Sequence, residues 1–321
     1  MSDRSAIEWT DATWNPIRAR NLKTGRIGWH CEHATTGCEF CYAETMNKRL
    51  GTSFPFKPGH RADIEIFLDD EMLTAPLKWK RQRKIFVGSM TDLFADFVKD
   101  EWIEKIFDTM LQTDHTFQVL TKRPARMRQW VTRFLAPALL PRILENIWLG
   151  VSCERQEEAD ERIPLLLQTP AVVRFISAEP LLGPIDLIGT FARYQDTPGK
   201  RCAVPLGRQL IDWVIVGGES GANARPMRPD WARLLRDQCA AAGVAFFFKQ
   251  WGEFSYPNQT EKYGAALRVG KKAAGRILDG RTHDEFPAVY NAQDDFAKSR
   301  DVGFAAIRER MAGGGPGWDP K

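Results

Sequence analysis

A chain of 321 residues, 43% of them hydrophobic, can bury a sizeable core as one large α/β domain or two ordinary ones. Its net charge of +4 is too mild to demand a nucleic-acid partner, and no stretch approaches the roughly 20 apolar residues of a membrane span. With no apolar leader in Met1–Asp11, the expected compartment is the cytoplasm, where clustered thiols read as metal ligands or catalysts rather than disulfides.

The first feature in chain order is HCEHATTGCEFCYAE, from His30 to Glu44, with the spacing Cys31-x6-Cys38-x2-Cys41. A weak helical pattern over 69–80 is interrupted by Pro76 and runs into the basic stretch 78–84, read as a solvated helix end. Short β-branched or aromatic runs at 85–89, 117–121, 147–151, 173–177, 213–217 and 245–249 predict buried strands. Amphipathic patterns over 101–112, 157–167 and 230–242 predict helices between them, the last with Pro229 at its start and Gly243 just past its end.

Alternating strands and helices imply parallel strands joined by helical crossovers, and near-continuously apolar strands imply a sheet covered on both faces. A partial barrel is the first choice and an open doubly wound sheet the second. In both, function gathers at the C-terminal strand ends. Polar residues collect there: Ser89–Asp92, Thr121–Arg123, Ser152–Glu154, Ser177–Glu179, Gly217–Ser220 and Lys249–Trp251. The basic stretch 78–84 precedes a strand and so falls at the other end. Residues 1–252 read as the barrel with its N-terminal cysteine loop, and 253–321 as a C-terminal extension ending in a disordered Gly-rich tail.

Three readings of the cysteines compete. Structural zinc needs a fourth ligand, which His30 or His33 could supply. Packing of free cysteines is the bland reading. A [4Fe–4S] cluster held by three thiolates would leave one iron open.

The segment Cys38-Glu-Phe-Cys-Tyr42, with Phe40 before the last cysteine, resembles the second half of the radical S-adenosylmethionine (SAM) cysteine motif. Within that superfamily the chain is similar to an uncharacterised family found in phages and prophages. That likeness rests on IEWTDATWNP (7–16), FVGSMTDLF (86–94), VGGESG (216–221) with Ala224-Arg-Pro226, and FKQWG (248–252). The resemblance implies a partial (β/α)6 barrel, a [4Fe–4S] cluster on Cys31, Cys38 and Cys41, reductive cleavage of SAM, and hydrogen abstraction from a substrate. It also implies an electron donor such as a flavodoxin or ferredoxin. Two departures stand out: six residues separate the first two cysteines where the superfamily has three, and Gly217-Gly218-Glu219 comes later than the superfamily's Gly-Gly-Glu element.

Against that resemblance, Ser89 and Asp92 are candidates for SAM's ammonium group, or else form a turn before a helix. Ser152 and Glu154 are candidates for its ribose hydroxyls, or else cap a helix. Gly217, Gly218 and Glu219 are candidates for close backbone approach to the cofactor. Lys122, Arg123, Arg225 and Lys249 are candidates for substrate phosphates or carboxylates, each alone more often a surface cation. Trp9, Trp14 and Trp251 either stack on bases or pack in the core. These cations, and a distant similarity to spore photoproduct lyase, point to a nucleobase in DNA as substrate; a peptide or free amino-acid derivative competes. The rival from another class is a zinc-stabilised nucleic-acid-binding protein without catalysis. Cys153 and Cys239 read as packing residues, and Cys202 receives no role.

Overall fold

The computed structural model describes residues 5–134, 145–195, 211–256 and 265–288. Cys202 and the Gly-rich tail lie outside the described residues. Seven parallel strands form one curled sheet, a half-barrel, in the order β1 (Ala12–Trp14), β5 (Lys84–Val87), β6 (Thr116–Thr121), β7 (Ile147–Ser152), β8 (Arg174–Ala178), β9 (Trp213–Gly217) and β10 (Ala245–Gln250). A second sheet, antiparallel, pairs β2 (Ile17–Asn21) with β3 (Ile27–Gly28) and β4 (Ile64–Leu68). The cysteine loop leaves β3 and enters α1 (Tyr42–Leu50) directly after Cys41.

The six predicted strands fall within one or two residues of their observed bounds, and so do three helices: α3 (Asp100–Leu111), α5 (Gln156–Leu167) and α7 (Pro229–Ala242). Each has a physical cause in its residues. In α3, Asp100 and Glu101 complement the positive helix start, while Ile103, Ile106, Phe107 and Met110 bury one face. In α7, Pro229 opens the first turn and Gly243 closes the last at φ 67°, where a side chain would be strained. Pro76 divides the weak pattern at 69–80, as its position predicted, into α2 (Asp70–Leu73) and a 3-10 turn over Ala75–Lys78. α4 (Pro124–Phe134) and α6 (Leu187–Gln195) complete the helices that follow β6 and β8.

Strand alternation divides the core in two. Val87, Val119, Leu149, Ile176, Val214 and Phe248 face outward and pack with α3, α5 and α7. The other parity faces the inside of the half-barrel: Phe86, Trp148, Phe175, Trp213 and Phe247 gather around Trp9 into an aromatic plug. Its rings meet tilted or edge-on, Trp9 to Phe86 at 4.7 Å and Trp148 to Trp213 at 5.9 Å. Gly150 makes room for the plug, because a Cβ there would lie 2.5 Å from the Phe175 ring. The segment after β10 returns along it. Phe248 N–H donates to the His283 carbonyl at 2.9 Å, and Trp213 Nε1 donates to the Glu285 carbonyl at 2.8 Å. Among the described residues, no helix is long and apolar enough to cross a membrane.

Candidate functional site

Above the aromatic plug, at the C-terminal strand ends, opens a cavity of about 370 Å³, a size that suits a small-molecule site. Trp9 and Phe86 form its floor, and Cys31, Cys38, Phe40 and Cys41 line one part of its wall. Ser177, Glu179, Gly218 and Lys249, from β8 to β10 and their ends, line another.

Three fasteners hold the cysteine loop on the barrel, each from a different strand end. After β6, Arg123 donates to the Glu32 carbonyl at 2.8 Å and to Asp92 at 3.0 Å. After β7, Glu154 accepts from the Thr35 hydroxyl at 3.4 Å, and its Cγ lies 2.5 Å from where a Cβ on Gly37 would stand. After β9, Arg225 donates to the Thr36 carbonyl at 3.0 Å and to Glu39 at 3.2 Å, and its guanidinium lies over the Phe40 ring at 5.0 Å. Glu219 holds Arg225 in turn through contacts of 2.7 and 2.8 Å.

The thiols sit in a poorly solvated wall. Burial pushes Cys31 up to about 12, with the Asp92 carboxylate adding to the rise, and burial also raises Cys41. Lys122 reaches into the same wall and pairs with Glu154; burial lowers its pKa, while Cys38 and Cys41 lie near enough to oppose that shift. Cys31 and Cys41 therefore stay protonated at neutral pH unless a bound metal replaces their protons. His30 Nε2 lies 3.2 Å from Glu32 and His33 Nε2 lies 2.8 Å from Glu44, and neither histidine lines the cavity. Cys153 and Cys239 are buried in the core, as their packing role predicted. Among the described residues, the cavity lining holds three thiols, with no fourth cysteine and no histidine. This composition fits a three-thiolate cluster with one open iron. The thiols are not drawn together into a ready cage: among the described residues, no three His, Cys, Asp or Glu side chains are grouped to hold a metal ion.

Of the predicted cofactor residues, Ser89, Asp92, Ser152, Gly218 and Glu219 line the cavity. Lys122, Arg123 and Lys249 line it as well. Glu154, Gly217 and Arg225 do not; Glu154 is 0% exposed. Several of these residues are already in use. Asp92 accepts from the Thr121 hydroxyl at 2.7 Å, the Phe94 N–H at 3.0 Å, the Lys122 N–H at 2.9 Å and Arg123. That fills the roughly four acceptor positions of a carboxylate, so here Asp92 positions neighbours and offers nothing to an ammonium group. The four cations expected to hold phosphates each carry an acid: Lys122 on Glu154, Arg123 on Asp92, Arg225 on Glu219 and Glu39, Lys249 on Glu179. Trp9, Trp14 and Trp251 are core residues, at most 4% exposed, and of the three Trp9 alone also lines the cavity. Sequence reasoning missed Tyr42, whose hydroxyl donates to the Ser89 carbonyl at 2.7 Å. It named Glu179 without giving it a place, although the period-two pattern of β8 puts Phe175, Ser177 and Glu179 on one face.

Fold and cavity together define an α/β half-barrel protein with a three-thiol pocket at its C-terminal strand ends. The chain belongs to a protein family of unknown function, DUF5131, which matches residues 4–287. No curated protein and no solved structure matches it.

Proposed function

We propose that this protein is a radical SAM enzyme, with Cys31, Cys38 and Cys41 as ligands of a [4Fe–4S] cluster. The observation that carries the reading is three thiols, without a fourth among the described residues, lining one cavity at the C-terminal strand ends of a parallel half-barrel. When bound, such a cluster supplies SAM with a metal site to chelate and with one electron for its sulfonium. The chain's own residues do the rest. Lys122 places a positive charge near Cys41, which favours its thiolate form against the effect of burial. Arg123 and Arg225 hold the loop backbone, and Glu154 holds its Thr35 hydroxyl. The Ser152 hydroxyl lines the cavity and is available to the cofactor. The aromatic plug closes the cavity from below and keeps water out of the barrel interior.

The test is reductive SAM cleavage. Anaerobically reconstituted protein, given dithionite and SAM, should release 5′-deoxyadenosine and methionine, measured by mass spectrometry. Cys38→Ala should abolish both products, and Cys239→Ala should not. Iron-loaded protein that forms neither product would refute the proposal.

A further inference from the structure

Helix α1 is turned inside out. The face it buries carries Ala43, Glu44 and Asn47. Asn47 accepts there from the Trp29 N–H at 2.9 Å and the Thr52 N–H at 3.1 Å, and donates to the Phe54 carbonyl at 2.9 Å. Glu44 accepts from the Phe56 N–H at 2.9 Å. The opposite face carries Tyr42, Met46 and Leu50, whose spacing of four sets them in one stripe. They are 49%, 42% and 58% exposed. The irregular backbone over 52–56 accounts for the polar inner side. The fold gives no reason for the apolar outer side, which stays open among the described residues.

Cations gather at the far end of the stripe. A Cβ on Gly28 would lie 2.4 Å from the Gly51 Cα, so the two glycines let the β2–β3 hairpin meet the end of α1. From that hairpin Arg26 donates to the Arg49 carbonyl at 3.2 Å and to the Ser53 hydroxyl at 3.0 Å, which brings two arginines to one place. Arg26, Arg49 and Lys23 are exposed, and none of them meets an acid among the described residues. The cations at the cavity each carry one.

We propose that the outer face of α1 and the tip of the β2–β3 hairpin form the docking surface for an acidic one-electron carrier protein. The inference rests on the radical SAM reading, whose chemistry consumes an electron. The reduced carrier gives one electron to the iron and is oxidised by one, and no covalent bond forms. Position favours this surface, because α1 begins directly after Cys41. At the rise of an α-helix, Leu50 lies about 13 Å along the axis from Cys41. Charge favours an acidic partner: cations without acids beside an apolar stripe complement an acidic rim around an apolar centre. Nucleic acid fits less well. The stripe holds a single aromatic ring, and its hydroxyl is tied to the Ser89 carbonyl at 2.7 Å, so bases have little to stack on.

The probe is an acidic flavodoxin, titrated against the full chain by calorimetry at low and at high salt. Native protein should bind it, and more weakly as salt rises. The double variant Arg26→Glu, Arg49→Glu should weaken binding at least about tenfold, since like charges then face each other. Leu50→Ala should weaken it about fivefold, whereas Arg81→Glu, in the basic stretch at the other end of the barrel, should leave it unchanged. A second readout compares reductants: the double variant should lose SAM cleavage driven by reduced flavodoxin and keep cleavage driven by dithionite, a split that misfolding cannot imitate. The proposal is overturned if flavodoxin does not bind, if the double variant keeps native affinity, if Arg81→Glu weakens binding as much, or if a single-stranded oligonucleotide displaces flavodoxin from the same residues. Binding is read without turnover. A chain that docks flavodoxin but cleaves no SAM would sink the reaction alone, and one that cleaves SAM with dithionite but docks nothing would sink the surface alone.

Discussion

Glu154 holds Lys122, Arg162 and the Thr35 hydroxyl with two oxygens. Arg162 is buried with it, its side chain 2% exposed. Removing the acid would leave two cations opposed in a poorly solvated wall. Glu154→Gln is therefore expected to lower stability by about 3–5 kcal/mol, the cost of breaking a buried ion pair, measured by urea denaturation. A loss under about 1 kcal/mol would mean that water already screens the group. The place of Glu154, at a strand end beside the cysteine loop, was legible in the sequence, but its use was not. Its partners lie 32 and 119 residues away in one direction and 8 in the other, and nothing in the local pattern reveals that they converge. The same holds for Asp92 and Arg225, which read as ligand groups and act as fasteners. The cysteines differ, because their close spacing already confines them to one loop.

At the scale of elements, strands buried on both faces were the clearest signal. Their apolar runs end where polar residues begin, and the observed strands stop within one or two residues of those transitions. The antiparallel sheet was not read. In β2, Ile17-Arg-Ala-Arg-Asn21, buried and half-buried residues alternate, with Arg18 lying over Trp29 at 4.9 Å and Arg20 over Phe67 at 4.9 Å. Two arginines in five residues conceal a strand unless their stems are known to cover aromatic rings. β1, only three residues long, gives too short a pattern to recognise. Contact between the C-terminal segment and α7 yields a test. Asp279 accepts from Arg233 at 2.7 Å and from Arg236, and the Arg233 hydrogen bond is the largest cause that holds its carboxyl down to about 2. A carboxylate whose folded pKa is depressed contributes stability above its unfolded pKa and loses it as the pH falls. Asp279→Asn should therefore cost about 1 kcal/mol at neutral pH, a value discounted for a side chain 35% exposed. The difference between native and variant should shrink as the pH falls from about 4 to about 2. Thermal denaturation at several pH values would show it, and a difference that does not change with pH would remove the ion pair from the account.

At the scale of the whole molecule, the half-barrel places hydrophobic and polar requirements at different heights. Aromatic side chains fill the lower interior around Trp9, where parallel strands leave no other way to exclude water. Above them, glycine, serine and charged side chains replace the aromatics, and the cysteine loop is fastened across the opening by groups from three strand ends. The arrangement brings thiols, polar side chains and a cavity together in one place, where the thiols are proposed to hold iron. The most direct measurement is metal content per chain after anaerobic reconstitution with iron and sulfide, on native protein and on the triple variant Cys31→Ala, Cys38→Ala, Cys41→Ala. The account predicts about four irons in the native chain, as a [4Fe–4S] cluster requires, and none retained by the triple variant. Stoichiometric zinc in protein purified without added metal, or full iron retention by the triple variant, would contradict it.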